Sequence, residues 1–322
     1  MLLAILLLII GLAILVKGAD IFVDASVGIA ETLNVPKIMI GLTIVAIGTA
    51  TPEITVSVIA ARSGQTSMAL GNLIGSNVFN LIAILGICGL ISPFQVSVKT
   101  IAKDFMLSIL VAGVVMLLFF GGHDYISPWV AGSLMVFFLG YIGLNLYKNG
   151  KEKQQESIEA IEAIEADHLA ANRRSQRRTK TNSLLVVLGI AMVVGGAQLA
   201  VDHAVFIAAY LGVEERVIGL TILAIGTSLP EFVTSIVAFK KGEGDLAMGN
   251  IIGSNILNLT FVLGLVGVIS PIAIETAYLF DTAVLIVGSL LTFLFIFTGK
   301  KVVRLEGALL VAIYVGYLYL LI

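Results

Sequence analysis

Long apolar segments fill most of this 322-residue chain and limit the folds available to it. A helix that spans a membrane needs about 20 mostly apolar residues. Ten segments satisfy this requirement, and in chain order they cover 2–27, 38–61, 67–91, 104–121, 127–147, 183–209, 217–239, 245–269, 280–298 and 303–322. The sequence therefore predicts an all-α polytopic membrane protein with ten transmembrane helices.

The amino-acid composition supports the same fold class. Hydrophobic residues make up 58% of the chain and charged residues only 12%, whereas a soluble domain carries about 25% charged residues. The formal net charge is −2, and no basic stripe lies outside one connecting segment. We therefore expect the lipid bilayer, and not a nucleic acid, as the macromolecular environment of this protein.

Positively charged residues concentrate on one side of the predicted helices. Apart from Lys17 in the first helix, sixteen Lys and Arg residues lie in the loops after helices 1, 3, 5, 7 and 9, and only Arg62 and Arg216 lie in the other loops. Lys and Arg accumulate in cytoplasmic loops. The sequence therefore predicts a protein of the inner (plasma) membrane with both termini outside and a cytoplasmic linker at residues 148–182. Part of this linker has the spacing of an amphipathic helix.

The two halves of the chain are related in sequence. Residues 41–93 and 219–271 align without a gap at an offset of 178, with 28 of 53 positions identical, including polar residues in register. Five predicted helices per half is an odd number, so the second half enters the membrane from the opposite side. The sequence predicts two inverted five-helix repeats, at residues 1–147 and 183–322, and inverted repeats place their substrate site near the bilayer midplane.

Each repeat contains a segment that predicts a broken helix. These segments are AIGTATPE at 46–53 and AIGTSLPE at 224–231. Proline removes one helical donor and frees the carbonyl four residues earlier, which belongs to Gly48 and Gly226. Because irregular backbone at membrane depth is tolerated only against protein or a water-filled cavity, the breaks are expected to face the protein interior.

A glutamate follows each predicted break. Glu53 and Glu231 would be costly as ionised carboxylates in a bilayer, and such residues usually mark functional sites. A protonated carboxyl that hydrogen-bonds neighbouring helices is the alternative. Thr49 and Thr227 lie four residues earlier and share a helical face with these acids.

A second repeated motif carries a polar stripe. It reads GNLIGSNVFN at 71–80 and GNIIGSNILN at 249–258. Its polar residues recur every four positions and are Asn72, Ser76 and Asn80, with Asn250, Ser254 and Asn258 in the second repeat. Hydrogen bonding between helices is one interpretation, and cation binding beside the glutamates is the other.

The ligands available in these motifs are all oxygens, which suit hard cations such as Ca²⁺ and Na⁺. No His and Cys cluster predicts a zinc or copper site. Two ionised glutamates give the site a charge of −2, which one Ca²⁺, two Na⁺ or two protons would neutralise. Ions that compete for the same carboxylates cannot be bound together, which is the physical basis of exchange.

The paired motifs resemble those of the calcium/cation antiporter superfamily, in particular the prokaryotic sodium/calcium exchangers. The resemblance implies that Glu53 and Glu231 bind calcium. It associates further positions with sodium or calcium: Thr49, Thr227, Ser76, Ser254, Asn80, Ser228 and the carbonyls of Ala46 and Ala224. The same family often has Asp at the position of Asn258, which we include among the candidate ligands, and Ser at the position of Ala50. It also implies that the first and sixth helices slide against the others.

These observations predict a secondary antiporter that exchanges Ca²⁺ for Na⁺ by alternating access. The loss of an acid at Asn258 and of a hydroxyl at Ala50 keeps Ca²⁺/H⁺ exchange open, and a passive cation channel would use the same ligands. An intramembrane enzyme is not expected, because the aligned segments 41–93 and 219–271 contain no His. We expect no cofactor besides the transported ions, and a functional monomer.

Overall fold

The computed structural model describes residues 1–91, 93–120, 125–161, 168–212, 224–274, 277–299 and 301–321. In the first half its helices are α1 (Leu2–Leu33), α2 (Lys37–Ile40), α3 (Ala46–Thr49), α4 (Thr51–Arg62), α5 (Thr66–Val78), α6 (Leu85–Ile91), α7 (Val98–Phe120) and α8 (Pro128–Ile161). In the second half they are α9 (His168–Tyr210), α10 (Ala224–Thr227), α11 (Leu229–Lys240), α12 (Gly244–Leu257), α13 (Leu263–Ile269), α14 (Ala277–Gly299) and α15 (Arg304–Leu321). Among the described residues, the π-helical segments Gly41–Val45, Phe79–Ile84 and Asn258–Val262 join α2 to α3, α5 to α6 and α12 to α13.

Membrane-length helices dominate the structure, which confirms the predicted multi-pass helical class. Within the described ranges, eight helices are long and apolar enough to cross a membrane, and the bent pair Lys37–Thr49 and Thr51–Arg62 makes a ninth. The remaining predicted helix, at 217–239, falls partly on residues 213–223, which lie outside the described residues. Its described part is α10 and α11.

Two continuous helices form the centre of the molecule. The apolar window of α5–α6 is 78% buried and that of α12–α13 is 83% buried, against 28% for α1 and 17% for α15. Close approach at the centre depends on glycine: a Cβ at Gly253 would lie 2.7 Å from the Cα of Leu42. The polar motifs of both repeats therefore lie in the best-shielded part of the chain.

The helices α1 and α9 pack along each other at one side of this centre. A Cβ at Gly11 would lie 2.7 Å from the Ala200 nitrogen, and a Cβ at Gly18 would lie 2.8 Å from the Val193 nitrogen. Glycines at such a contact let two helices approach closely in a membrane. The two helices that the family resemblance describes as sliding are thus in direct backbone contact.

Short antiparallel strands link the loops of the two halves, a feature absent from the predicted all-α fold. Strand β1 (Phe94–Gln95) pairs with β4 (Lys301–Val302), and β2 (Tyr125–Ile126) pairs with β3 (Ile272–Ala273). Since α7 separates β1 from β2, the two strand pairs lie at opposite ends of a membrane-length helix. Each pair joins one loop of the first half to one of the second.

The predicted linker is helical over its described residues. Helix α8 continues to Ile161 and α9 begins at His168, so residues 148–161 and 168–182 extend the neighbouring membrane helices. The run KEKQQE at 151–156 consists of good helix formers, which explains why α8 does not end at the membrane boundary. Residues 162–167 lie outside the described residues.

Candidate cation site

The helix break predicted before Glu53 is present. Helices α3 and α4 belong to a pair bent by 49°, and Ala50 between them has φ −74° and ψ 6°. Ser228 holds the same place between α10 and α11, with φ −90° and ψ 8°. Each proline lies in the first turn of the helix that follows, where its missing N–H costs nothing.

The carbonyls near the first break already have protein donors. The Gly48 carbonyl accepts a hydrogen bond of 2.9 Å from the Thr51 hydroxyl. The carbonyl of Ala46 accepts one of 3.0 Å from the Ala50 nitrogen and a longer one of 3.5 Å from the Thr49 hydroxyl. In the second repeat, Ala224 begins α10, but its side chain lies outside the described residues.

Both glutamates are fully buried in the first turns of α4 and α11. A carboxylate is favoured at the first turn of a helix by the partial positive charge there. Among the described residues, no Lys, Arg or His forms an ion pair with Glu53 or Glu231. A buried pair of acids without a cation of the protein is a site that a metal ion or protons would stabilise.

Hydrogen bonds cross between the repeats around these acids. Ser228 of the second repeat donates to Oε1 of Glu53 at 2.9 Å. The Thr49 hydroxyl lies 3.0 Å from Oδ1 of Asn250. The equivalent contact joins Thr227 of the second repeat to Asn72 of the first, with the Thr227 hydroxyl 3.3 Å from Asn72 Oδ1. The structure therefore brings the two separated motifs into one site.

The polar stripes lie beside this cluster. Asn72 donates to Ser57 at 3.1 Å and Asn250 donates to Ser235 at 3.2 Å, so these two amides connect the stripe of each repeat to its own broken helix. Asn80 and Asn258 lie in the π-helical segments, a rare geometry found frequently at functional sites.

Many buried side-chain oxygens of the candidate ligands have no hydrogen-bond partner among the described residues. These atoms are Glu53 Oε2, both carboxylate oxygens of Glu231, Asn80 Oδ1, Asn258 Oδ1, Ser76 Oγ and Ser254 Oγ. Buried polar atoms are normally paired, and each exception needs an explanation. An oxygen-lined cation site explains this set, because the atoms come from equivalent positions of both repeats.

Two asparagines contribute to this site that were not among the expected ligands. Asn77 and Asn255 are buried between the repeats and hydrogen-bond to each other's backbone. The sequence signal for these two residues is their occurrence at equivalent places of the repeated GSN motif. They lie three residues before Asn80 and Asn258, and this spacing does not show which residues they contact.

Comparison with known proteins assigns the family. The sequence profile described as "Sodium/calcium exchanger protein" matches residues 3–147 and 181–322. This chain belongs to the sodium/calcium exchanger family. The family assignment agrees with the resemblance drawn from the paired motifs.

Full-length relatives and solved structures support the assignment. The sodium/calcium exchanger MaX1 of Methanosarcina acetivorans is 34% identical, covering 98% of this chain and 97% of its own length. The inner membrane protein YrbG of Escherichia coli is 35% identical, covering 90% of this chain and 88% of its own length. A structure of the sodium-calcium exchanger NCX_Mj soaked with 10 mM Na⁺ and no Ca²⁺ superposes with a TM-score of 0.82 at 32% identity, over 98% of this chain and 97% of that chain. This member of the family is therefore a multi-pass membrane protein of a cation antiporter class.

Proposed function

We propose that this protein is a secondary active antiporter that exchanges Ca²⁺ for Na⁺ across the inner (plasma) membrane, and that it binds both ions between Glu53 and Glu231. The observation that carries the proposal is the set of buried, unpartnered oxygens contributed by equivalent residues of both repeats. Carboxylate, amide, hydroxyl and carbonyl oxygens are the ligands that Ca²⁺ prefers. Its relatives named as sodium/calcium exchangers support the choice of ions.

Charge explains why the ions would be exchanged. Two ionised glutamates that form no ion pair with any described Lys, Arg or His give the site a charge of −2, and carrying an empty charged site through the membrane is costly. One Ca²⁺ or two Na⁺ would neutralise it, so binding of one ion excludes the other. The ligands in this proposal are Glu53, Glu231, Thr49, Thr227, Ser76, Ser254, Asn80, Asn258, Ser228 and the carbonyls of Ala46 and Ala224.

Alternating access follows from the proposed architecture of two inverted five-helix repeats, residues 1–147 and 183–322, joined by a cytoplasmic linker at 148–182. The strand pairs support this arrangement. At the offset of 178, β1 is the sequence equivalent of β3. Strand β1 pairs with β4 at one end of α7, and β3 pairs with β2 at the other end. The two equivalent strands therefore lie at opposite ends of this helix. In the proposal, α1 and α9 move together against the central helices and expose the site to one side at a time.

Calcium/proton exchange is the second candidate function. It is favoured by Asn258, an amide where the family often has an acid, and by Ala50, which leaves Glu231 without the hydroxyl that Ser228 provides to Glu53. Both changes reduce the oxygen ligands or charge available to sodium. A passive cation channel would use the same ligands but would need no counter-ion gradient.

The test is uptake of radioactive calcium into proteoliposomes under an imposed sodium gradient, an imposed pH gradient, or neither. We expect uptake only with the sodium gradient, and we expect Glu53→Gln and Glu231→Gln to reduce it to background while each variant remains folded. Asp245→Asn, which changes an acid at the start of α12 away from the site, is the matched control and should transport like the wild type. Uptake that follows only the pH gradient would assign proton exchange, and uptake without any gradient would indicate a channel.

A further inference from the structure

Four buried asparagines form a closed hydrogen-bonded network between the two repeats. Asn77 Nδ2 donates to the backbone carbonyl of Asn255 at 3.2 Å, and Asn255 Nδ2 donates to the carbonyl of Asn77 at 3.1 Å. The side-chain oxygen of Asn77 accepts from Nδ2 of Asn258, and that of Asn255 accepts from Nδ2 of Asn80, each at 3.2 Å. None of the four residues is more than 1% exposed.

The partners in this network fix the orientation of every amide. The two ends of an asparagine amide have nearly the same shape, so its orientation follows from what each end contacts. A backbone carbonyl can only accept, so the amide nitrogens of Asn77 and Asn255 must face it. The side-chain oxygens of Asn77 and Asn255 then face Asn258 and Asn80. An oxygen can only accept, so it must pair with the amide nitrogen of Asn258 or Asn80.

This orientation decides what Asn80 and Asn258 offer to an ion. Because their nitrogens are bound by the network, their oxygens are the atoms left without a partner within the described part of the chain. A flipped amide would instead present two N–H donors, which carry partial positive charge and repel a cation. The same two residues can therefore attract or repel a cation, according to which way their amides are held.

We infer that Asn77 and Asn255 are positioning residues, which hold the amides of Asn258 and Asn80 with their oxygens free to bind the cation. The inference rests on the proposed function, because it takes the ligand to be Ca²⁺ at the Glu53 and Glu231 site. Each positioning residue belongs to one repeat and acts on a ligand of the other. The site is therefore complete only when both repeats are in contact.

The first measurement is calcium binding by purified protein, by isothermal titration calorimetry in sodium-free buffer. Asn77→Leu keeps a similar side-chain volume but removes the donor and the acceptor. We expect it to raise the calcium Kd by about tenfold or more, because loss of a group that orients a metal ligand typically costs 10- to 100-fold in affinity.

A double-mutant cycle separates positioning from a general structural effect. If Asn77 acts through the amide of Asn258, then Asn77→Leu should have little further effect in an Asn258→Ala background, within about threefold of that variant alone. In an Asn80→Ala background, by contrast, Asn77→Leu should keep most of its effect. Asn255 contacts both residues, but its side chain is held by the backbone carbonyl of Asn77, which the leucine variant retains. If Asn77→Leu does not yield folded protein, the mirror cycle of Asn255→Leu with Asn80→Ala and with Asn258→Ala makes the same comparison.

The outcomes distinguish this inference from the proposed function. Calcium binding by the wild type and its loss in Glu53→Gln would support the site itself. With those two results in hand, a leucine variant that binds calcium like the wild type, or equal effects in both alanine backgrounds, would overturn the positioning role alone. A wild-type protein that does not bind calcium would overturn the proposed function, and this inference with it.

Discussion

At the scale of single residues, two glutamates provide the charge of the proposed site, and hydroxyl, amide and backbone carbonyl groups provide its neutral oxygens. The sequence indicated the side-chain ligands, because a polar residue that recurs in register within apolar helices needs a reason. It did not separate residues that bind the ion from residues that orient them. Asn77 and Asn80 are both buried and both repeated, and only the direction of their hydrogen bonds distinguishes the two roles.

The contact between Asn258 and Asn77 also predicts the effect of restoring an acid at this position. In Asn258→Asp, an ionised carboxylate would face Oδ1 of Asn77, another acceptor, where the amide nitrogen now donates at 3.2 Å. A protonated carboxyl would instead donate to it. We therefore expect the variant to respond to sodium like the wild type near neutral pH, and to show steeper, electrogenic sodium dependence only at alkaline pH, where the ionised site carries −3.

This prediction can be checked by calcium efflux from proteoliposomes, titrated with external sodium at the two pH values, with the membrane potential clamped and then released. Wild-type protein measured in parallel gives the reference for both conditions. Steeper sodium dependence already at neutral pH would show that the carboxyl ionises despite its neighbour, and would contradict the orientation of the Asn77 amide.

At the scale of helices, the sequence located most membrane segments, because length and apolarity alone determine them. It did not show that α1 and α9 touch, since backbone contact between distant helices leaves only scattered glycines in the sequence. It also did not identify the π-helical segments at Phe79–Ile84 and Asn258–Val262. No residue pattern in these motifs separates a π-helical turn from an α-helical one.

One charged contact at the end of α11 has no counterpart in the other repeat. Lys241 lies 2.6 Å from a carboxylate oxygen of Asp20 and 2.6 Å from one of Asp24, both on α1. At the offset of 178, the equivalent of Lys241 is Ser63, and the equivalents of the two acids are Gln198 and Asp202. The ion pair therefore stabilises contact between α1 and α11 without a matching bond for α9.

If α1 moves during transport, Lys241→Ala should shift the balance between the two end states. The groups are partly exposed, and exposed ion pairs are typically worth about 0–1 kcal/mol each, so we expect a change of about two- to tenfold in the ratio of states. Spin labels at Val16 on α1 and Val287 on α14, which are both exposed, would report it as a change in distance populations. Lys240→Ala is the control, because Lys240 forms no ion pair with any described residue. Identical populations in Lys241→Ala and wild type would show that the contact does not bias the equilibrium.

At the scale of the whole molecule, the sequence indicated two related halves from identities in register. It could not show how the halves meet, because the contacts between them join residues that are distant in the sequence, such as Phe138 and Phe261. The strand pairs β1–β4 and β2–β3 are examples, and two-residue strands carry too little pattern to be recognised in a sequence. The central position of both polar motifs likewise emerges only when the membrane helices pack together.

The proposed orientation predicts opposite labelling of two introduced cysteines. Ser157→Cys in the linker should react with a membrane-impermeant reagent only from the cytoplasmic side, because the positively charged loops are retained inside. Ser63→Cys, in the exposed loop after α4, should react only from outside intact cells. The single native cysteine, Cys88, is buried, so background labelling should be low. Labelling of Ser157→Cys from outside would show that the protein has the reverse orientation.

The reciprocal bonds between Asn77 and Asn255 have a consequence for the origin of such a chain. Each motif donates to the other the same bond that it receives, as the two surfaces of a symmetric homodimer do. A motif of this kind needs no partner other than its own copy. A gene for a single five-helix repeat, inserted in the membrane in both orientations, could therefore have assembled the same central network from two identical subunits. Duplication and fusion of that gene would then have freed each copy to diverge, as Ala50 and Ser228 have done at equivalent positions.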